Sequence, residues 1–192
     1  IGRENGLPWR LPGDMKHFRE LTSTVKDPQK RNAVLREEKH GNQFLRIEDL
    51  FSSDLMLYHI LTEEFNKTHQ SDFVQAFSSF DEALSQLSLN SNVGEIINIG
   101  GAALIKSSDL SKCKYVIMTR IAKTYECDVF LDPLPESFIA LHVSQTMSDQ
   151  NVAYDVVIYG NSTLINRSPE LIPTALIAKL PIHQEMQYLN LI

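Results

Sequence analysis

The opening of the chain constrains its fold more than any other stretch. Ile1-Gly2-Arg3-Glu4-Asn5-Gly6-Leu7-Pro8-Trp9-Arg10-Leu11-Pro12-Gly13 interleaves glycine and proline too closely for a helix or strand to run through it. Proline fixes its own φ and removes a backbone donor, while glycine weakens any regular element. The segment therefore has to be an irregular loop, and it delivers the chain to Asp14, where a helix opens. Met15, Phe18 and Leu21 then share one face of that helix, and the polar run from Thr22 ends it at Asp27-Pro28.

The later pattern alternates short apolar runs with amphipathic ones. Asn32-Ala33-Val34-Leu35 begins a strand. Ser79 followed by Glu82 forms a capping box, and Phe80, Ala83, Leu84 and Leu87 mark the buried face of the next helix. Glu95–Ile99 is an apolar strand running into Gly100-Gly101, and Ala102–Lys106 is a helix. Tyr115–Ile121 is a further strand, and Phe138–Val143 with Tyr154–Tyr159 form a closing pair across a polar loop. This alternation predicts an α/β fold: a central, mostly parallel mixed sheet flanked by helices, with an antiparallel C-terminal edge. From Arg36 to His59 no period holds, so residues 36–58 are expected to pack poorly. The core domain is expected over 1–160, with a patternless linker over 161–181.

Composition excludes several function classes. A net charge of -6 with no basic stripe argues against general nucleic-acid binding. No apolar run approaches a membrane span, so no bilayer partner is expected. Cys113 and Cys127 lack metal-ligand spacing and read as reduced thiols, so no metal site is expected. The chain opens on Ile1 rather than Met, so residues upstream are expected, with any organellar targeting signal among them; otherwise a cytoplasmic location is expected.

Three features could carry chemistry. Asp14 follows a rigid loop and opens a helix, where the bland reading is an acid favoured by the helix dipole. Gly100-Gly101 between strand and helix lets backbone amides approach a phosphate, or is merely a tight turn. Thr119 in an apolar strand needs a hydrogen-bond partner, either backbone or a catalytic acid.

Their order and spacing resemble one family. Leu7-Pro8-Trp9-Arg10-Leu11-Pro12-Gly13-Asp14-Met15-Lys16-His17-Phe18 is similar to the substrate loop and first helix of dihydrofolate reductases. Asn98-Ile99-Gly100-Gly101 resembles the cofactor strand and glycine turn of that family, and Met118-Thr119-Arg120-Ile121 with Tyr125–Phe130 a later strand and loop. The resemblance implies NADPH-dependent reduction of dihydrofolate to tetrahydrofolate. It further implies that Asp14 holds the pterin and supports its protonation, that Thr119 bonds both Asp14 and the pterin, and that Trp9 orders a water near Asp14. Phe18 would pack on the pterin and Ile99 would offer it a carbonyl. Ile1, Gly2, Leu7, Gly100, Gly101, Ala102, Ala103, Leu104 and Ile105 would line the cofactor. His183–Leu189 is similar to the opening of a thymidylate synthase domain, so 182–192 would begin such a domain, the partner enzyme of bifunctional plant and protist proteins.

The sequence also departs from the family. The first strand is absent, Ile105 stands where a Tyr is usual, and the Arg that grips the substrate's glutamate tail is missing. The phosphate-binding segment Gly-Arg-Lys-Thr-Trp-Glu-Ser-Ile-Pro is not found after Val34. Codons for Arg36–Leu45, read from each third base, permit that segment in unbroken order. Those for Glu48–Tyr58 permit Arg-Pro-Leu and then Arg-Phe-Asn-Val-Ile. Residues 36–58 are thus read as a stretch out of frame, and the chain as it stands is expected to be impaired. One rival is the related reductase of riboflavin synthesis, which lacks the Leu-Pro-Trp loop before a helix-opening acid. The other is a non-catalytic product that keeps the fold without a working cofactor site.

Overall fold

Ala33, Val34 and Leu35 are consecutive and have no exposed surface, and a strand buried at every residue must be covered on both faces. The computed structural model describes residues 2–4, 6–38, 56–61 and 74–165, and these residues belong to an α/β protein. They divide between two compact units, the first being Ile1–Arg10, Phe18–Asp109 and Glu126–Pro133, the second Leu11–His17, Leu110–Tyr125 and Leu134–Ile192. Helix α1 (Pro12–Ser23) gives its first half to the second unit and its remainder to the first.

In the first unit, β1 (Arg31–Glu38) lies parallel to β2 (Met56–Leu61) on one side and to β4 (Val93–Asn98) on the other, and β3 (Val74–Phe77) extends the sheet beyond β2. The order is β3-β2-β1-β4. Helix α2 (Phe80–Leu89) covers this sheet through Phe80, Ala83 and Leu87, which join Ala33, Leu35, Phe77, Val93 and Leu104 in one core. Its start is set locally: the Ser79 hydroxyl accepts from the Glu82 amide at 3.1 Å. The return bond of the predicted capping box lands one residue early, because the Glu82 carboxylate accepts from the Ser78 amide at 2.8 Å. Buried Asn32 ties the end of α1 to the sheet: its side-chain amide donates to the Thr22 and Thr24 carbonyls at 2.9 Å, and its oxygen accepts from the Glu95 amide at 3.1 Å. A short helix α3 (Ala102–Ser107) follows β4.

The second unit is antiparallel. β8 (Val152–Asn161) is central, with β5 (Tyr115–Ile121) on one side and β6 (Phe138–Val143) and β7 (Met147–Asp149) on the other. Val156 and Ile158 form its core with Tyr115, Ile117 and Met147 packed against them. Gln150 and Asn151 connect β7 to β8 with φ of 49° and 62°, the left-handed pair that a two-residue hairpin turn requires.

Several expectations need correction. The sequence predicts one mixed sheet, whereas the described residues bond as two, one wholly parallel and one wholly antiparallel. The expected patternless stretch Arg36–His59 is regular at both ends: β1 runs on to Glu38, and β2 is an inner strand bonded on both sides. Inner parallel strands are covered on both faces and need no alternation, and Met-Leu-Tyr-His-Ile-Leu is the nearly continuous apolar run such a strand uses. Residues 39–55, where the rest of that stretch falls, lie outside the described residues. Strand β8 ends at Asn161, and Ser162–Ile165 form a helical turn, α4. The rest of the expected linker and residues 182–192 lie outside the described residues.

Candidate active site

Asp14 occupies the first turn of α1 in a half-buried position, behind Pro12 at the first helical residue. Proline suits that place because its missing N–H would have no helical partner. The loop and helix start thus fix where the carboxylate projects. Thr119, on β5, donates its hydroxyl to Asp14 Oδ1 at 2.7 Å. A short hydroxyl-to-carboxylate bond of this kind orients the acid and leaves its second oxygen for another donor.

Two residues that sequence reasoning missed surround this pair. Asp149, the last residue of β7, accepts the Gly13 amide at 2.7 Å. Tyr154, on β8, is 5% exposed, and its hydroxyl lies 2.7 Å from where a side-chain carbon on Gly13 would stand. Only glycine fits there without displacement. Burial, and then the negative charges of Asp14 and Asp149, push the Tyr154 phenol above its ordinary range. Both residues sit in the polar loop and closing strand, where period alone gives no signal of a site. One strand position beyond Thr119, Arg120 holds Asp155 through two bonds of 2.7 and 2.6 Å, which lowers the Asp155 carboxyl.

The first unit holds the other expected residues. Gly2 bridges to Val129: its carbonyl accepts from the Asp128 amide at 2.9 Å, and its amide donates to the Val129 carbonyl. The Glu4 amide donates to the Asp128 carboxylate at 2.8 Å and Arg3 pairs with Glu126 at 2.8 Å. The opening loop is therefore clasped by the Glu126–Val129 segment. Both segments stood out in the sequence; their mutual contact did not. Leu7 is exposed, and Trp9 and Phe18 are half-buried in this unit. Ile1 lies outside the described residues.

Gly100 has a φ of 89° and is joined to Gly101 by a cis peptide bond. Half-buried Ile99 donates to the Leu35 carbonyl at 2.9 Å, and the Asn98 side chain accepts from the Gly100 amide at 2.9 Å. Ala102 and Ala103 open α3, Leu104 is buried in the core, and Ile105 lies beside Gly100. The unforeseen resident is Glu37, at the end of β1. It is 8% exposed, its Oε2 lies 2.9 Å from where a side-chain carbon on Gly101 would stand, and the same oxygen accepts from the Leu104 amide at 3.3 Å. The space a glycine leaves beside α3 is filled by a carboxylate. Among the described residues, no cluster of His, Cys, Asp and Glu could hold a metal ion, and no helix is long and apolar enough to cross a membrane.

No protein-family model matches the chain. Individual relatives do. A dihydrofolate reductase of Aedes albopictus is 32% identical over 142 residues, covering 72% of this chain and 75% of the mosquito protein. A bifunctional dihydrofolate reductase-thymidylate synthase of Zea mays is 27% identical over 222 residues, covering 100% of this chain and 42% of its own length. One of Daucus carota, with the same name, is 31% identical over 140 residues, 71% of this chain and 26% of its own length. The chain therefore spans less than half the length of its bifunctional plant relatives. The mosquito protein is 32% identical and matched over 75% of its own length, and on that match the chain belongs to the dihydrofolate reductase family.

Proposed function

We propose that this chain supplies the reduction of 7,8-dihydrofolate to 5,6,7,8-tetrahydrofolate within one-carbon and thymidylate metabolism. The observation that carries the proposal is the 2.7 Å bond between Thr119 and Asp14. It holds one carboxyl at the mouth of a rigid loop, with an oxygen left to take the amino group of a pterin and to support its protonation. A single placed acid suits this chemistry, since the pterin needs a proton and no nucleophile. Phe18 would pack on the ring and Trp9 would order a water near Asp14. The full protein, on this reading, continues into a thymidylate synthase domain that begins near His183–Leu189 and acts in the cytoplasm.

NADPH is the reductant the family implies, and it supplies the hydride when bound. The residues present do not fit its phosphates. The Glu37 carboxylate lies against Gly101 and takes the Leu104 amide, so an incoming phosphate would meet an anion where it needs donors. The chain as it stands is read as impaired on its cofactor side and intact on its pterin side.

The test is Asp14→Asn, made in the full-length protein with Gly-Arg-Lys-Thr-Trp-Glu-Ser-Ile-Pro restored over 36–45. Placed acids contribute about 100- to 10,000-fold in rate, so turnover of dihydrofolate at neutral pH falls by at least about 100-fold. Turnover close to that of the parent would remove Asp14 from the chemistry.

A further inference from the structure

Helix α1 has a structural problem at its start. The first four amides of a helix have no partner within it, and a side chain just ahead of the helix normally takes one. Here that position is Leu11, which has no acceptor to offer. Its carbonyl begins the helical ladder by accepting from Met15 at 3.0 Å, and the Gly13 amide is left to be satisfied elsewhere. The acceptor that takes it is Asp149, 136 positions further along the chain, at 2.7 Å. The approach is possible because residue 13 has no side chain: one carbon there would stand 2.7 Å from the Tyr154 hydroxyl and 3.3 Å from the Asp149 carboxylate. Asp149 itself is held at the end of β7 by pairing with Val152, across the turn at Gln150 and Asn151.

We propose that Asp149 is a positioning residue for Asp14: it fixes the backbone immediately before the acid, while Thr119 fixes the acid's side chain. The two contacts act on adjacent residues from two strands of one sheet, β7 and β5, which are both bonded to β8. One anchored point leaves the first turn free to fray and the carboxylate free to swing. Two anchored points define its direction. Placement on this scale matters, because shifts of about 1 Å can cost on the order of 100-fold in rate. The Tyr154 phenol closes the third side, so that the first turn can shift toward it only by displacing a buried ring. The proposal rests on the reading of Asp14 as the pterin-binding acid, and it adds a residue outside the motif that carries that reading.

The experiment compares Asp149→Ala and Asp149→Asn, each with and without Asp14→Asn, in the full 192-residue chain. Two quantities are read: hydrogen exchange at the Gly13 amide, with Ile158 in β8 as an internal control, and the affinity for dihydrofolate by calorimetry, which needs no cofactor. Loss of a carboxylate cap is expected to speed exchange at Gly13 about tenfold or more, leaving Ile158 unchanged. Dihydrofolate affinity should fall several-fold in Asp149→Ala and recover most of that loss in Asp149→Asn, whose amide oxygen still accepts from Gly13. With Asp14→Asn already present, Asp149→Ala should cost no further affinity. Unchanged exchange at Gly13 overturns the proposal, as does an affinity loss that persists undiminished when Asp14 is gone, which would mark Asp149 as merely structural. Should Asp14→Asn bind dihydrofolate as well as the parent, the reading of Asp14 falls, while exchange at Gly13 still decides whether Asp149 holds that turn.

Discussion

Tyr154 shows how a single side chain registers its surroundings. Its phenol is raised first by burial and then by the charges of Asp14 and Asp149, so the folded chain holds the proton more tightly than the unfolded chain does. A raised folded value has a definite sign in stability. Below the ordinary tyrosine value of about 10 both states keep the proton and the contribution is fully present. As pH rises from there through the raised value, the unfolded state ionises first and stability is lost. Tyr154→Phe removes this dependence, so its urea midpoint should fall less than that of the parent between about pH 9 and pH 11. Parallel declines in the two proteins would mean that Tyr154 ionises without penalty. Neither the burial of this residue nor its charged neighbours could be read from Ala153-Tyr154-Asp155, where Tyr looks like any strand aromatic. Asp14 differed: the loop ahead of it is so restricted that its place at a helix start was legible directly, and Thr119 became meaningful once paired with it.

At the scale of elements, legibility followed the local causes of structure. The helix at Phe80–Leu89 has its cap, its apolar face and its acidic first turn all in sequence, so its start and its buried face are legible there. Ser79→Ala removes the hydroxyl that accepts from Glu82 and should cost about 1 kcal/mol, as capping serines typically do. A thermal midpoint indistinguishable from the parent would show that Ser78 and Glu82 hold that start unaided. Strands β5 and β6 were read correctly for the same reason, as apolar runs with polar boundaries. Strand β2 was not, because inner parallel strands take their definition from neighbours on both sides. A strand bonded on both sides at Met56–Leu61 counts against the reading of 36–58 as a stretch out of frame. The pairing of Glu126–Val129 with the opening loop joins segments more than 120 positions apart, and no local pattern encodes a contact of that range.

At the scale of the whole molecule, the two proposed binding elements differ. Asp14 and Thr119, proposed to take the pterin, are bonded to each other, whereas the glycine turn proposed to face the cofactor carries Glu37 in the space beside Gly101. With a net charge of -6 the chain offers no general attraction that could offset this for a ligand bearing several phosphates. A charge-assisted hydrogen bond contributes roughly 1.5–3 kcal/mol, and micromolar binding amounts to about 8 kcal/mol, so exchanging several such bonds for one repulsive carboxylate removes most of the affinity. The chain should therefore bind NADPH only in the millimolar range or weaker. Glu37→Gln, which keeps the shape and the Leu104 contact while removing the charge, should improve binding modestly. Restoring Gly-Arg-Lys-Thr-Trp-Glu-Ser-Ile-Pro over 36–45, which also takes Glu37 away and adds cations, should bring it to the micromolar range. Calorimetric titration of the three proteins tests the order directly, and quenching of Trp9, the single tryptophan of the parent, gives a second signal. Saturable micromolar binding by the unaltered chain would mean that Glu37 turns aside or that residues 39–55 build a phosphate site of their own. The impairment assigned here to the cofactor side would then be wrong.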